Sequence, residues 1–578
     1  MMRTLNIFLL ALLLPNILFA QSGFIKPEKV KQLDSLYQSF FKPQEPGAII
    51  VVAQEGKILF KKAYGMSDLE KNIPLSTEHK MGIGSISKQF CAIAILLLQQ
   101  EGKLNIKDDI HQYLPQYNTY GRKITIQNLL SHTSGIPSYT EIYEFAELAK
   151  NNVPIQRLVK LFESKPLIYE PGSNWSYSNS GYVLAGLIIE KITGKPFNDF
   201  LQQRIFKPLL MNDTYLGSST ELIPNKTGEY AVNAKGRIKV ESTYDWYWAY
   251  AAGQIVSTVD DMVKWNEGLN DTNFIKPSLL SLAHQSFILT DGTDAHYGLG
   301  WATGSFKNKT MIQHGGSIGG YRSQGMRIPV DHLYFLVMSN SALTNSGLVA
   351  NKTLSVLYDM PPLKEKKDPS LQWKDWEGVY EAPSSGLRLQ LNFGPTPTYY
   401  TIRVDSNQKV TVQRTGGTKS VLTPAGKDLL FDKSNPFAGW QAERNTSGEI
   451  TGIRFTKHFP GYGPDRFNKK VSTQLPGDKL AQKADSILLQ QCKGIYEHSL
   501  GDRMIVKVDE GGITIENSGG GPKVKCYYIG HQSFYLKDVD QEFVFETDKK
   551  GQVIGCHFFN GNNIIQMKKI DDPYIFTK

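Results

Sequence analysis

Residues 82–98 read GIGSISKQFCAIAILLL, a glycine-rich turn followed by an apolar run. We predict that a largely buried helix begins at this turn, with Ser85 at its start and Lys88 one turn later. Side chains three residues apart lie on one face of a helix, so the Lys88 amine can reach the Ser85 hydroxyl. The stretch therefore places a nucleophile beside a candidate base.

The pair Ser85 and Lys88 suits acyl transfer. A serine hydroxyl becomes a good nucleophile when a neighbouring group takes its proton, and a buried lysine can do this because burial lowers its pKa. The N-terminus of a helix adds N–H groups that favour an oxyanion. The alternative is that Ser85 only caps the helix and Lys88 is a solvated side chain, since Ser-x-x-Lys also occurs by chance.

The composition is that of a globular protein with more than one domain. The chain has 578 residues, of which 40% are hydrophobic and 21% are charged. That length is too great for a single core. The formal net charge is +9, but the densest basic cluster is the short KEKK at 364–367, so we do not expect a nucleic-acid partner.

The N-terminus predicts export. Arg3 precedes an apolar run from Leu5 to Phe19, and Ala20 ends that run before a polar stretch. This pattern is typical of a cleaved secretory signal and is too short for a membrane-spanning helix. We therefore expect a signal peptide at 1–20, a periplasmic or secreted protein, and no stable membrane span.

The four cysteines show no spacing typical of a metal site. Cys91 lies inside the predicted helix and is expected to be a small packing residue. Cys492, Cys526 and Cys556 cluster near the C-terminus, where two of them could pair in an exported protein. The sequence leaves open whether any pair forms.

Residues 22–362 predict one α/β domain. Strand patterns at 48–53 and 58–63 precede the Ser85 helix, and three more at 310–314, 320–329 and 333–339 close the unit. Helical patterns lie elsewhere in the unit, at 30–41, 124–131, 140–165, 182–192, 259–269 and 347–358. We expect the two ends of this unit to share one antiparallel sheet flanked by helices.

The pattern changes after Pro362 to alternating strands with glycine turns. One motif opens as WEGVY at 376–380 and closes as GEITGIRF at 448–455, and a second copy opens as CKGIY at 492–496 and closes as GQVIGCHF at 551–558. A tandem repeat of this kind predicts two small antiparallel β-barrel domains. We place them at 369–470 and 487–578.

Two further motifs in the first unit carry candidate functional residues. Tyr177 and Asn179 lie on a loop that follows a Pro-Gly turn, a place from which side chains commonly project into a cleft. The segment His314-Gly315-Gly316-Ser317 ends a predicted strand, and its glycines would let a substrate lie against the strand edge. Taken singly, a loop aromatic and an ordinary turn explain these motifs equally well.

Taken in order, the three motifs resemble those of a known superfamily. Ser85-x-x-Lys88, Tyr177-x-Asn179 and His314-x-Gly316 resemble, in order and approximate spacing, the motifs of the serine β-lactamase and penicillin-binding superfamily. The resemblance covers about 40–360 and extends to LLSHTSG at 129–135 and AGQI at 252–255. It is to the class C β-lactamase branch, which includes D-alanyl-D-alanine carboxypeptidases, D-aminopeptidases and related esterases.

This resemblance implies roles for the motif residues. Ser85 would form an acyl-enzyme, and Lys88 and Tyr177 would share the general acid and base work. Asn179 would hydrogen-bond the substrate amide or Lys88. The backbone N–H groups of Ser85 and Ser317 would form the oxyanion hole. No metal or other cofactor is implied.

His314 departs from the pattern of the β-lactamases, which usually carry lysine there. A histidine is largely neutral at pH 7 unless a carboxylate raises its pKa, so it is a poorer partner for a substrate carboxylate. His-Gly-Gly is similar to the motif of serine D-aminopeptidases, which also carry two β-barrels. We therefore expect a peptidase, amidase or esterase of small substrates. The alternatives are a class C-type β-lactamase and a weakly catalytic cell-wall binding protein whose barrels bind glycan or a partner.

Two features near these motifs have less certain roles. The aromatic run at 244–250 either walls the substrate cleft or packs beneath a loop. His132 fits a structural loop residue better than a second base. The oligomeric state is not readable from the sequence.

Overall fold

The structure is a computed structural model. It describes residues 25–142, 145–149, 154–217, 223–232, 238–240, 246–366, 373–382, 398–414, 419–433, 436, 438–457, 467–473, 483–498, 503–509, 512–517, 523–530, 532–536, 541–560 and 563–570. The predicted signal peptide at 1–20 and residues 244–245 of the aromatic run lie outside these ranges.

The first unit combines a central sheet with several short strands. Its strands are β1 (Ala48–Gln54), β2 (Lys57–Tyr64), β3 (Met66–Asp68), β4 (Ile73–Pro74), β5 (Met81–Gly82), β6 (Tyr215–Leu216), β7 (Tyr230–Val232), β8 (Ile238–Val240), β9 (Ile255–Ser257), β10 (Ala302–Phe306), β11 (Lys309–Ile318), β12 (Tyr321–Ile328) and β13 (Leu333–Ser339). Six of them form one antiparallel sheet in the order β10-β11-β12-β13-β1-β2. This order confirms that the two ends of the unit share one sheet.

Helices surround this sheet. They are α1 (Pro27–Phe40), α2 (Ser87–Gln100), α3 (Ile126–Leu130), α4 (Phe145–Ala149), α5 (Ile155–Glu163), α6 (Asn179–Thr193), α7 (Phe197–Leu201), α8 (Tyr250–Gly253), α9 (Val259–Gly268), α10 (Pro277–His284) and α11 (Ser346–Leu357). Two hydrophobic cores result, one built around α2 and the other between the sheet and helices α1 and α11. The mixed α/β fold class predicted for this unit is confirmed.

Helix α2 is the most deeply buried helix that the sequence predicted. Its residues from Ser87 to Leu98 are all buried. A helix enclosed on every side needs apolar residues all round rather than one apolar stripe, which explains the unbroken run of the sequence. Ser85 lies just before α2, in a 3-10 turn at Gly84–Ile86, rather than at the first residue of the helix.

Strand β11 extends further than the sequence predicted. It runs to Ile318 rather than ending at residue 314, so His314 lies in the middle of the strand and Ser317 is also part of it. Strand β10, which the sequence analysis did not predict, pairs only with 309–313 of β11. The remainder of β11 therefore pairs with β12 alone and presents its other edge to the turn that carries Ser85.

Two closed eight-stranded barrels follow, as predicted. The first contains β14 (Gly378–Ala382), β15 (Thr398–Val404), β16 (Val410–Arg414), β17 (Ser420–Gly426), β18 (Leu429–Asp432), β19 (Ala438–Arg444), β20 (Ile450–Lys457) and β21 (Phe467–Ser472). Helix α12 (Ser486–Cys492) precedes the second, which contains β22 (Gly494–His498), β23 (Arg503–Asp509), β24 (Gly512–Asn517), β25 (Val524–Gly530), β26 (Ser533–Leu536), β27 (Gln541–Thr547), β28 (Val553–Asn560) and β29 (Asn563–Ile570).

All four cysteines are buried free thiols, so the structure contains none of the pairings that the sequence left open. Cys91 packs in the core around α2, as expected. Among the described residues, no helix is long and apolar enough to cross a membrane.

Candidate active site

The structure brings Ser85, Lys88, Tyr177 and Asn179 together. The Lys88 Nζ lies 3.0 Å from the Ser85 Oγ. It also donates hydrogen bonds to the Asn179 Oδ1 at 2.8 Å and to the main-chain oxygen of Ala252 at 2.7 Å. The predicted nucleophile and its predicted base are therefore within hydrogen-bonding distance.

The environment of Lys88 favours a neutral amine. The side chain is fully buried, and this burial lowers its pKa well below the usual value. A neutral amine has two N–H groups and one lone pair. Because the Asn179 and Ala252 oxygens can only accept, they take both N–H groups and leave the lone pair to the Ser85 hydroxyl. The geometry thus suits Lys88 as the base that activates Ser85.

Two aromatic rings border the amine. The Lys88 Nζ lies 4.8 Å from the centroid of the Tyr177 ring and 5.3 Å from that of the Tyr182 ring. Tyr182 is fully buried, whereas Tyr177 is half-buried. Tyr177 therefore lies between the buried amine and the more open part of the site.

Hydroxyl groups fix the orientation of Asn179. Its Nδ2 donates to the Thr140 Oγ1 at 3.2 Å and to the Ser138 Oγ at 3.4 Å. The amide nitrogen therefore faces the hydroxyls and the amide oxygen faces Lys88. Sequence reasoning did not single out Ser138 or Thr140, because they lie about forty residues from Asn179 and belong to none of the three motifs.

Two glycines allow the strand edge to approach the nucleophile. A Cβ on Gly84, whose φ is +52°, would lie 2.5 Å from the Ser317 main-chain nitrogen, and a Cβ on Gly316 would lie 1.9 Å from the Ile83 oxygen. The Ser317 N–H is thus close to the turn that carries Ser85. Such an approach is what a two-donor oxyanion hole made by Ser85 and Ser317 requires.

His314 is held as a neutral imidazole. Its Nδ1 lies 2.6 Å from the Gly315 oxygen, which can only accept, so Nδ1 carries the proton and Nε2 accepts from the Tyr297 hydroxyl at 2.8 Å. Burial is the main cause that lowers the pKa of His314 to about 3, and the nearby Lys88 amine lowers it further whenever that amine is protonated. The site therefore lacks at this position the cation that a lysine would supply. Tyr297 belongs to none of the three motifs and was not predicted from the sequence.

His132 lies behind Tyr177. Its ring centroid is 4.1 Å from that of Tyr177, and its Nδ1 accepts a hydrogen bond from the Ser178 N–H at 3.0 Å. Burial is the main cause of a pKa well below the usual value. His132 thus supports the Tyr177 ring, and its Nε2 has no hydrogen-bond partner among the described residues.

The aromatic run contributes mainly packing. Trp246 is buried against Tyr321, at a centroid separation of 5.6 Å, and a Cβ on Gly82 would lie 2.8 Å from its ring. Tyr247 is 40% exposed and is the described residue of the run that reaches solvent most. The packing interpretation therefore accounts for most of this segment.

Glu141 is a carboxylate near the site that the sequence analysis missed. It follows Thr140, which holds Asn179. Burial, and to a smaller extent the Glu141 charge, raise the pKa of Tyr169, whose hydroxyl donates to the His132 oxygen. Glu141 has exposed surface, but protein atoms crowd its carboxyl group, and this partial desolvation raises its pKa to about 7. Within the described residues, no group of three or more His, Cys, Asp or Glu side chains is arranged to hold a metal ion.

Comparison with known proteins finds a matching family model and similar curated proteins. Residues 32–359 match the family model described as Beta-lactamase. Penicillin-binding protein 4* of Bacillus subtilis (strain 168) is 29% identical over 331 residues, a match that covers 54% of this chain and 72% of that protein. Protein flp of Staphylococcus aureus (strain MRSA252) is 28% identical over 318 residues, covering 54% of this chain and 62% of that protein, which is less than two thirds of its length.

Two solved structures share the fold. The octameric penicillin-binding protein homologue from Pyrococcus abyssi has a TM-score of 0.53 at 22% identity and covers 76% of this chain and all of that one. The D-amino acid amidase from Ochrobactrum anthropi SV3, complexed with D-phenylalanine, has a TM-score of 0.51 at 24% identity and covers 58% of this chain and all of that one. At these identities the likeness concerns the fold alone.

Proposed function

Because the chain belongs to the beta-lactamase family of serine hydrolases, we propose that it cleaves small amide or ester substrates through an acyl-enzyme on Ser85. The observation that carries the proposal is the contact of 3.0 Å between the Lys88 Nζ and the Ser85 Oγ, made by a lysine whose pKa burial holds low. The reaction is that of a D-aminopeptidase-like or penicillin-binding-protein-like peptidase.

The proposed steps follow from the arrangement of donors and acceptors. Ser85 Oγ attacks the substrate carbonyl while its proton passes to the Lys88 Nζ. The N–H groups of Ser85 and Ser317 hold the oxyanion. Tyr177 and Lys88 then return a proton to the leaving group. A water molecule, activated by the same pair, releases the acid and restores Ser85.

Labelling of the nucleophile tests this mechanism. A fluorescent phosphonate should label the full chain at Ser85, and Ser85→Ala should abolish the labelling. The exposed Ser76→Ala is a matched control that should label normally. Labelling that persists in Ser85→Ala would remove Ser85 from the mechanism.

The presence of Glu141 favours substrates that carry a free amino group. Glu141 follows Thr140, which holds Asn179, and once it is ionised, above about pH 7, its carboxylate would attract an ammonium ion, whereas the neutral His314 offers no charge to a substrate carboxylate. Glu141→Gln should therefore raise KM for an alanine p-nitroanilide and leave KM for a p-nitrophenyl acyl ester unchanged. Equal effects on both substrates would contradict this role, and comparison of D- and L-alanine p-nitroanilides tests the stereochemical preference.

A class C-type β-lactamase is the second candidate, favoured by the family match. Turnover of nitrocefin would support it. Absence of turnover, together with cleavage of aminoacyl anilides or esters, would eliminate it. We also propose that the protein is exported to the periplasm or beyond, from the signal-like sequence at 1–20, and cell fractionation tests this.

A further inference from the structure

The first barrel contains a cavity of about 250 Å³ at one end. The residues that line it lie at the start of β15, β17 and β19 and at the end of β16, β18 and β20, which places them all at the same end of the barrel. They include Tyr400, Arg414, Asp432, Ala438, Trp440 and Phe455. Closed barrels of eight strands are wide enough to hold one small ligand.

Three aromatic rings form one wall of the cavity. The ring centroid of Trp440 lies 4.7 Å from that of Tyr400 and 4.8 Å from that of Phe455. Trp440 is nearly buried, whereas Phe455 is 38% exposed, as a residue at a cavity mouth would be. Such a wall favours a flat aromatic group.

Charged side chains point into the same space. Side chains alternate across a strand, so Arg414 faces inward with the buried Val412, and Asp432 faces inward with the buried Leu430. The Arg414 Nε is buried and has no hydrogen-bond partner among the described residues. A guanidinium donor that no protein group satisfies needs a water molecule or an acceptor that enters the cavity as its partner, and a carboxylate is the stronger partner because it is charged.

The second barrel provides an internal comparison. By strand register, its counterparts of Arg414 and Asp432 are Asn517 and Leu536. Leu536 is buried, and Phe534, Phe543 and Phe545 pack together nearby, at centroid separations of 5.3 to 5.7 Å. Arg414 and Asp432 therefore have no charged counterparts at the same positions of the second barrel. A barrel of this kind folds without these two charges.

From these contacts we propose that the first barrel binds a small aromatic carboxylate. The ring lies against Trp440, and the carboxylate accepts hydrogen bonds from Arg414. A cavity of 150 Å³ accommodates benzene, so 250 Å³ accommodates one ring with a short acidic side chain. The ligand is either a plain arylacetic acid or an aromatic amino acid, whose ammonium group would face Asp432. This site is separate from the hydrolase site and does not depend on its chemistry.

Calorimetric titration of the full chain with phenylacetate tests the site. We expect one molecule bound per chain, and binding weaker by about tenfold or more in Arg414→Gln, because a hydrogen bond to a charged group is lost. Arg454→Gln removes an arginine from the outer face of the same barrel and should leave the affinity unchanged. Benzyl alcohol, which has the ring but no carboxylate, should bind much more weakly.

A second variant guards against misfolding of Arg414→Gln. Ala438→Leu fills the cavity mouth and keeps both charges, so it should also abolish binding. Saturating phenylacetate should leave the rate of phosphonate labelling at Ser85 unchanged, which separates this site from the hydrolase site. Phenylalanine that binds more tightly than phenylacetate, and loses this advantage in Asp432→Asn, would identify the amino acid as the ligand type. Absence of saturable binding up to millimolar phenylacetate, or equal affinity in Arg414→Gln, would overturn the proposal.

Discussion

The side-chain oxygen of Asn179 accepts a hydrogen bond from the Lys88 Nζ at 2.8 Å. The contact occupies one N–H group of Lys88, but the amide of Asn179 is neutral and places no negative charge beside the amine. The low pKa of Lys88 therefore depends on the neutrality of the amide as well as on burial. A single exchange of the amide for a carboxylate tests this dependence.

Asn179→Asp should move the acid limb of kcat/KM to higher pH. A carboxylate next to the Lys88 Nζ favours the ammonium form and raises its pKa, so less of the enzyme has a free base at neutral pH. Each unit of upward shift lowers the rate on the acid limb about tenfold. The pH profile of ester hydrolysis measures the shift. Thr140→Val removes a hydrogen bond to Asn179 without adding charge, so it should lower the rate and leave the acid limb of the pH profile at the same pH. An acid limb that does not move in Asn179→Asp would refute the argument.

Substitution of Lys88 separates its basicity from its charge. Lys88→Met should lower kcat about 10²- to 10⁴-fold because the general base is lost. Lys88→Arg should be impaired to a similar degree, since a guanidinium stays protonated and cannot accept the serine proton. Circular dichroism should show both variants folded. An active Lys88→Arg would mean that Lys88 acts through its charge.

The sequence predicted the features of this site that depend on nearby residues. Ser85 and Lys88 are only three residues apart in the chain. The buried part of α2 is an almost unbroken run of apolar residues, which the sequence shows directly. The shared sheet was also predictable, because strand patterns stood at both ends of the unit. The barrels followed from a repeated motif.

The sequence did not predict the contacts that set the protonation states. The Tyr297 hydroxyl reaches His314 across seventeen residues, and Thr140 reaches Asn179 across thirty-nine. Neither partner belongs to a motif, so only the folded chain brings them together. The main-chain oxygen of Ala252 is an intermediate case. Its segment, AGQI at 252–255, is part of the family resemblance, but every residue type has a main-chain oxygen, so the sequence does not reveal this contact.

Gly316 is expected to be essential and Gly325 replaceable, although they lie on neighbouring strands. A Cβ on Gly316 would lie 1.9 Å from the Ile83 oxygen, whereas a Cβ on Gly325 would lie 3.7 Å from its nearest neighbours among the described residues. Gly316→Ala should therefore push β11 away from Ser85, destabilise the domain by about 1–3 kcal/mol and reduce acylation. Gly325→Ala should leave both unchanged. Labelling kinetics and thermal unfolding compare them, and a fully active Gly316→Ala would contradict the oxyanion geometry.

Glu229 should make the stability of the hydrolase unit depend on pH. Its carboxylate is buried and accepts a hydrogen bond from the Gly320 N–H at 3.1 Å, at the turn between β11 and β12. Burial raises its pKa from 4.5 to about 7. Between these values the folded state binds more protons than the unfolded state, so the contribution of Glu229 to stability falls as the pH rises from about 4.5 to 7.

Glu229→Gln removes this titration and keeps an oxygen that can accept from Gly320. The variant should match the wild type near pH 4.5 and exceed it above pH 7, by at most about 3 kcal/mol. Loss of phosphonate labelling in urea reports unfolding of this unit alone, which matters because the chain has several units. The exposed Glu78→Gln should show no such pH-dependent gain. A difference between Glu229→Gln and wild type that stays constant with pH would mean that Glu229 has the same pKa in the folded and unfolded states.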